Sequence, residues 1–103
     1  MDLKDFGRFS DPALLILSSL ADGPKHGYSM MNDIQSFTGM RLGPGTLYGA
    51  LSRLEKSGLI EALDTPDRRR PYQLTGKGIA ALQEQLRLLQ KLVETGLERL
   101  AAG

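Results

Sequence analysis

Residues 43–62 read GPGTLYGALSRLEKSGLIEA. At about 100° per residue, Leu47, Ala50, Leu51 and Leu54 fall on one face, spaced i, i+3, i+4 and i+7. The opposite face carries Gly45, Gly49, Ser52 and Lys56, flanked by Thr46, Tyr48 and Arg53. Pro44 suits a first helical turn, and Ser57-Gly58 supplies a stop. The pattern predicts a helix whose core-facing stripe lies behind a polar, partly basic face with two glycines. A strand-like segment and an arginine run follow directly.

On the N-terminal side, Ser10 and Asp11 are good helix caps and Pro12 fits the first helical position. Ala13, Leu14, Leu15, Ile16, Leu17 and Leu20 then surround the helix almost completely, which predicts a first helix buried at the centre of the fold. Asp22-Gly23-Pro24 ends it. A second helix is expected from about His26 to Thr38, with Tyr28, Met31, Ile34 and Phe37 three residues apart on a broad or slanted buried face. Gly39 stops it, and the short link Met40–Gly43 makes the second and third helices a helix-turn-helix. Residues 1–10 have no clear period and read as an arm.

On the C-terminal side, Leu59, Ile60, Ala62 and Leu63 predict a short strand, Thr65-Pro66-Asp67 a turn, and Arg70–Leu74 the returning strand. Arg68, Arg69 and Arg70 then sit at the tip and descending limb of a two-stranded wing. Pro71, lacking an N–H, should face outward or lie out of register. Thr75 caps a last helix from about Gly76 to Ala101. Leu82, Leu86, Leu89, Val93, Leu97 and Leu100 form one apolar stripe; Ala81, Leu88 and Leu92 form an adjoining one. Some 25 residues reach roughly 37 Å, too long for the remaining chain to cover. A partner helix is implied, most simply the same helix of a second subunit; an antiparallel fold-back onto its own core is the alternative. The division is an arm (1–10), a winged helix-turn-helix (11–74) and a dimerisation helix (75–103), a mainly α fold with a small β-hairpin.

One domain of 103 residues with 41% hydrophobic and 24% charged residues has ordinary globular composition. There are no cysteines and one histidine, which leaves no disulfide framework and argues against the usual transition-metal sites. The longest apolar run, Ala13–Ala21, falls short of the roughly 20 residues that span a bilayer. The start MDLKDF lacks signal-peptide character, so a cytoplasmic location is expected, with no membrane partner. The net charge of +1 hides an asymmetry. Residues 1–40 hold three basic and five acidic side chains, residues 41–77 seven and four, and residues 78–103 three of each. Positive charge gathers at the third helix and the arginine run, the footprint of a polyanion partner.

The chemistry of that surface suits duplex DNA. Phosphates supply affinity and base edges supply sequence information. Thr46, Tyr48, Ser52 and Arg53 offer hydroxyls and a guanidinium shaped for guanine in the major groove. Gly45 and Gly49 remove bulk and permit close backbone approach; a merely tolerated glycine at 49 is the alternative. Tyr48 either contacts phosphate or packs on the wing. Arg68–Arg70 should reach backbone or minor groove. Arg41, before the third helix, suits a phosphate, and Lys56 contacts DNA or solvates the face. His26 is expected to be structural. No paired carboxylates, phosphate loop or nucleophile–base motif marks an enzyme, and no catalytic, cofactor or metal residue is expected.

Three stretches, LSSLADGPKHGYSM (17–30), GTLYGALSRLEKSGLIEA (45–62) and RRRPYQLTGKGIAAL (68–82), together resemble the PadR-like transcriptional regulators. The single last helix resembles the smaller branch of that family. Where the family usually has proline after GTLY this chain has Gly49, and where it usually has an aromatic before the wing tyrosine it has Pro71. The resemblance implies a homodimeric repressor that binds an operator of dyad symmetry, with last helices supplying much of the dimer contact. It also implies a DNA role for the region of Tyr28, and in some members release by small planar compounds. Aromatic contacts to such an effector would come from Phe6, Phe9, Phe37 or a tyrosine, since there is no tryptophan. The expectation is a dimeric, sequence-specific transcriptional regulator, a repressor released by a small molecule or other effector. A winged-helix protein–protein adaptor without DNA reading is the alternative.

Overall fold

The computed structural model describes residues 11–66 and 69–103; the arm and Arg68 lie outside the described residues. The elements run α1 (Pro12–Ser19), a 3-10 turn (Leu20–Asp22), α2 (Gly27–Thr38), α3 (Pro44–Lys56), β1 (Ile60–Ala62), β2 (Tyr72–Leu74) and α4 (Gly76–Ala102). The chain is mainly helical with a two-stranded antiparallel hairpin, a winged helix-turn-helix followed by one long helix.

Asp11 caps α1 by accepting from Ala13 N at 3.0 Å, and Pro12 opens it. Leu15, Ile16, Leu17 and Leu20 are buried, so α1 is the central helix that its all-round apolarity predicts. Its one buried polar side chain, Ser19, donates from Oγ to Asp33 Oδ2 on α2 at 2.6 Å, which satisfies the hydroxyl inside the core. Lys25 Nζ donates to Asp22 and to the Ser19 carbonyl, and its ammonium holds the exposed Asp22 carboxyl below its ordinary pKa.

The buried face of α2 is Gly27, Met30, Met31 and Ile34, a regular i, i+3, i+4, i+7 stripe. Tyr28 and Phe37 are not on it; they are 59% and 51% exposed. Spacing by three loses about 60° of helical phase per step, so residues nine apart point about 180° from each other. Only Met31 and Ile34, in the middle of the expected series, share the core. Gly39 ends the helix in the left-handed conformation (φ 76°).

In α3 the buried residues are Leu47, Ala50, Leu51 and Leu54, as the opening stretch predicts. Its end is a Schellman closure: Gly58 at φ 76°, Gly58 N donating to Glu55 O and Leu59 N donating to Leu54 O, both at 3.0 Å. That turn delivers Leu59 straight into β1.

The strands pair Ile60 with Leu74, Glu61 with Gln73 and Ala62 with Tyr72. The returning strand starts at Tyr72 rather than Arg70, because Pro71 has no N–H for a ladder bond. Its carbonyl still accepts from Leu63 N at 2.8 Å. The far edge of β2 is paired too. Lys25 N donates to Tyr72 O (3.1 Å) and Tyr72 N to Lys25 O (2.9 Å), a one-residue bridge that ties the wing to the start of α2.

Thr75 caps α4 by accepting from Gly78 N at 3.0 Å, and its own Oγ1 donates to Gly58 O at 2.6 Å. Gly78 is buried against the backbone of Leu59. The helix packs on α1 and β2 through its first turns and then leaves the body, within overall dimensions of 58 × 28 × 20 Å. The fold-back alternative is not what forms. Leu82 belongs to the chain's own core at 5% exposure, so it anchors α4 rather than standing on its outer stripe; Leu89 is half-buried. Leu86, Leu88, Leu92, Val93, Leu97 and Leu100 are exposed, reaching 64% at Leu97 and 80% at Leu100.

Candidate nucleic-acid interface

The outward face of α3 presents Thr46, Tyr48, Ser52, Arg53 and Lys56, all exposed. Arg53 and Lys56 occupy the last turn, where positive charge also complements the C-terminal end of the helix dipole. The two glycines on this face are not required by the chain itself. A Cβ added at Gly45 would meet nothing within 4 Å, and one at Gly49 would meet only Arg53 Nη1, at 3.7 Å. Each glycine inside a helix costs about 1 kcal/mol relative to alanine. The fold accepts that loss without using the space.

Tyr48 is half exposed and lies against the start of α2. A Cβ at Gly27 would stand 2.7 Å from Tyr48 Oη and 3.0 Å from Cζ, so the phenol lies across the first residue of α2, close to its unsatisfied N–H groups. His26, Tyr28, Tyr48 and Tyr72 line a cleft of about 270 Å³ with Arg69 and Arg70 of the wing at its rim. His26 Nδ1 is buried and has no hydrogen-bond partner among the described residues. The cleft thus joins the start of α2, the outer face of α3 and the wing in one concave surface. The Lys25–Tyr72 bridge holds the wing in that position. A helix N-terminus, three phenols and two guanidinium groups line this one surface, an arrangement chemically suited to anions.

Arg41, in the link between α2 and α3, is exposed and held by α2. Its Nη1 donates to Asn32 Oδ1 (3.1 Å) and Gln35 Oε1 (2.9 Å), and its Cζ lies 5.9 Å from the centroid of the Tyr28 ring. Of the residues named from sequence, the structure brings Tyr28, Tyr48, Arg69 and Arg70 around the cleft and sets Arg41 beside Tyr28. Thr46, Ser52, Arg53 and Lys56 lie along the exposed face of α3, with Gly49 half-buried between them. The sequence reading missed Asn32, Gln35 and Tyr72. The first two were detectable as an i, i+3 polar pair one turn beyond Tyr28; the third was hidden because a one-residue bridge has no period.

Among the described residues no group of three or more acidic or histidine side chains gathers to hold a metal ion, and no helix is long and apolar enough to cross a membrane.

The sequence and the fold both have close counterparts. The model of the transcriptional regulator PadR-like family matches residues 16–84. The chain is 40% identical over 82 residues to a transcriptional regulator of Mycobacterium tuberculosis, covering 77% of this chain and 76% of that one. It is 44% identical over 85 residues to an uncharacterised 37.1 kDa protein in a transposon of Streptomyces fradiae, covering 82% of this chain but spanning only 25% of the larger protein. In three dimensions it is similar to a PadR-like transcription factor of Bacteroides fragilis, with a TM-score of 0.74 and 26% identity over 92% of this chain and 95% of that one. The helix-turn-helix, the wing and the first turns of α4 all lie inside the matched span, and the chain belongs to the PadR-like family of transcriptional regulators.

Proposed function

We propose that the protein is a homodimeric, sequence-specific DNA-binding regulator of the cytoplasm that represses transcription from an operator of dyad symmetry. The observation that carries this reading is the outer face of α3. Gly45 and Gly49 leave it bare where the fold would accept side chains, between groups suited to base edges and phosphates. Thr46, Ser52 and Arg53 are assigned to the major groove, Tyr48, Tyr28, Lys56 and Arg41 to the strand backbone, and Arg68–Arg70 to the adjacent backbone or minor groove. Two such helices must lie about 34 Å apart to enter successive major grooves. The leucines left uncovered on α4 support the dimer that would set this distance; each large side chain fully buried there contributes roughly 1.5–3 kcal/mol.

Release by a small-molecule or other effector belongs to the same proposal, and a second cleft, of about 310 Å³, between α1, the end of α3 and the first turns of α4 supports it. Leu14, Leu17, Leu54 and Leu59 line it with Glu84 and Gln85 at its edge. A ligand there would act on the angle at which α4 leaves the body, and so on the separation of the two α3 helices.

The test is binding to the DNA upstream of the protein's own gene, followed by fluorescence anisotropy at increasing salt, with footprinting to locate the site. A protected site with two half-sites one helical turn apart, and affinity falling steeply with salt, is expected. Absent or salt-insensitive binding would sink the proposal. Partner capture that survives replacement of Arg53, Arg69 and Arg70, with no DNA retained by the parent, would put the adaptor reading in its place.

A further inference from the structure

Tyr28, Asn32 and Gln35 stand at i, i+4 and i+7 on α2, one ridge of exposed side chains. Arg41 lies against this ridge, and every group that holds it is neutral: two amide oxygens and a phenol ring. Carboxylates at 32 and 35 would orient the guanidinium equally well and cancel its charge. Amides orient it and leave the charge whole. The one carboxylate of α2, Asp33, is engaged by Ser19 Oγ at 2.6 Å.

The direction of the grip matters as well. Both bonds come from Nη1, while Nε and Nη2 make no hydrogen bond among the described residues. Nε–H and one Nη2–H point the same way and form the edge of arginine that takes two oxygens of one phosphate in parallel. A surface arginine ordinarily gives up rotamer freedom on being fixed. Here part of that ordering is already in place in the free protein. Tyr28 belongs to this ridge and also lines the cleft shared with Tyr48 and the wing arginines, so Arg41 lies on the same side of the molecule as that cleft.

We propose that Arg41 is a pre-set clamp for a single backbone phosphate, and that Asn32 and Gln35 are its positioning residues. This rests on the DNA-binding reading above and adds to it a sequence-independent contact with its own supporting residues.

The experiment uses the full chain and two duplexes of equal length and composition, the upstream site and a scrambled version, with anisotropy between about 50 and 200 mM salt. Arg41→Ala should weaken binding about tenfold on both duplexes and lower the slope of log affinity against log salt by about 1.8, one phosphate for each of the two subunits. Asn32→Leu with Gln35→Leu should weaken binding about threefold to fivefold with the slope kept, since the charge remains but its ordering is lost. Added to Arg41→Ala, the same pair should cause no further loss. Urea midpoints should stay at the parent value, because all three side chains are exposed. The inference is overturned if the parent binds while Arg41→Ala keeps its affinity and slope, or if the leucine pair weakens binding equally without Arg41. A loss confined to the upstream duplex overturns it too, making Arg41 a base reader. A parent protein that binds neither duplex at any salt defeats the DNA reading itself, and the clamp with it.

Discussion

Gly78 and Gly49 each stand in a helix of this protein, and the surroundings of the two are opposite. A Cβ at Gly78 would lie 1.9 Å from Leu59 O and 2.9 Å from Leu59 C, where neither backbone can give way. A Cβ at Gly49 would touch only the end of Arg53, at an ordinary 3.7 Å. One glycine lets α4 close onto the turn that leaves α3; the fold is built through it. The other weakens its helix and returns nothing to the monomer. Glycine in a helix is therefore ambiguous in sequence, and only its neighbours separate an internal requirement from an external one.

The largest effect should follow from Gly78→Ala. The first turn of α4 would have to lift from Leu59, straining the Thr75 N bond to Leu59 O (3.1 Å) and the Thr75 Oγ1 bond to Gly58 O (2.6 Å). A loss of about 3 kcal/mol or more is expected, even after the alanine's own helical preference is counted. Urea denaturation at fixed protein concentration measures it; the concentration must be held because the proposed dimer would link stability to mass action. A midpoint equal to the parent's would break the contrast between the two glycines. Thr75→Ala removes the cap at the same junction without the clash, and should cost about 1 kcal/mol in the same assay.

Gly27→Ala is the intermediate case. Its Cβ would meet the phenol of Tyr48, 2.7 Å from Oη, but that is the far end of a side chain that can swing away. Roughly 1 kcal/mol of destabilisation is expected, together with weaker DNA binding as Tyr48 leaves the cleft. The sharper measurement is a double-mutant cycle: with Tyr48→Ala already present, Gly27→Ala should have almost no further effect on stability. A penalty that persists would mean that the constraint on residue 27 lies elsewhere.

How much of this was legible in the sequence varies with the kind of signal. The stripe Leu47, Ala50, Leu51 and Leu54 forms as read, because i, i+3, i+4, i+7 is the true helical period. Thr75 as a cap and Gly39 and Gly58 as stops follow from local chemistry and also hold. The series Tyr28, Met31, Ile34, Phe37 misled because a period of three drifts, and two large aromatics invite burial on composition alone. Leu82 shares the stripe of the outer leucines; what separates it is where the body ends, a tertiary fact. The cleft is legible only in part. Tyr48 over Gly27, Tyr72 bridged to Lys25 and the amides on Arg41 all join residues distant in sequence or out of phase, for which no local pattern exists.

The smallest changes in stability, and the most telling ones, belong to α3. Gly49→Ala places a methyl in free space at mid-helix and should raise stability by up to about 1 kcal/mol. Gly45→Ala, in the first turn beside Pro44, should give less, because the full glycine penalty applies to helix interiors. If the bare face exists for a duplex, both variants should lose DNA affinity while gaining or keeping stability, Gly49→Ala by about tenfold. That combination separates an external requirement from an internal one, since a glycine needed by the fold loses both together, as Gly78→Ala should. Gly49→Ala binding DNA as tightly as the parent would make residue 49 a tolerated glycine, and the close approach of α3 to the duplex would have to be carried by Gly45 alone.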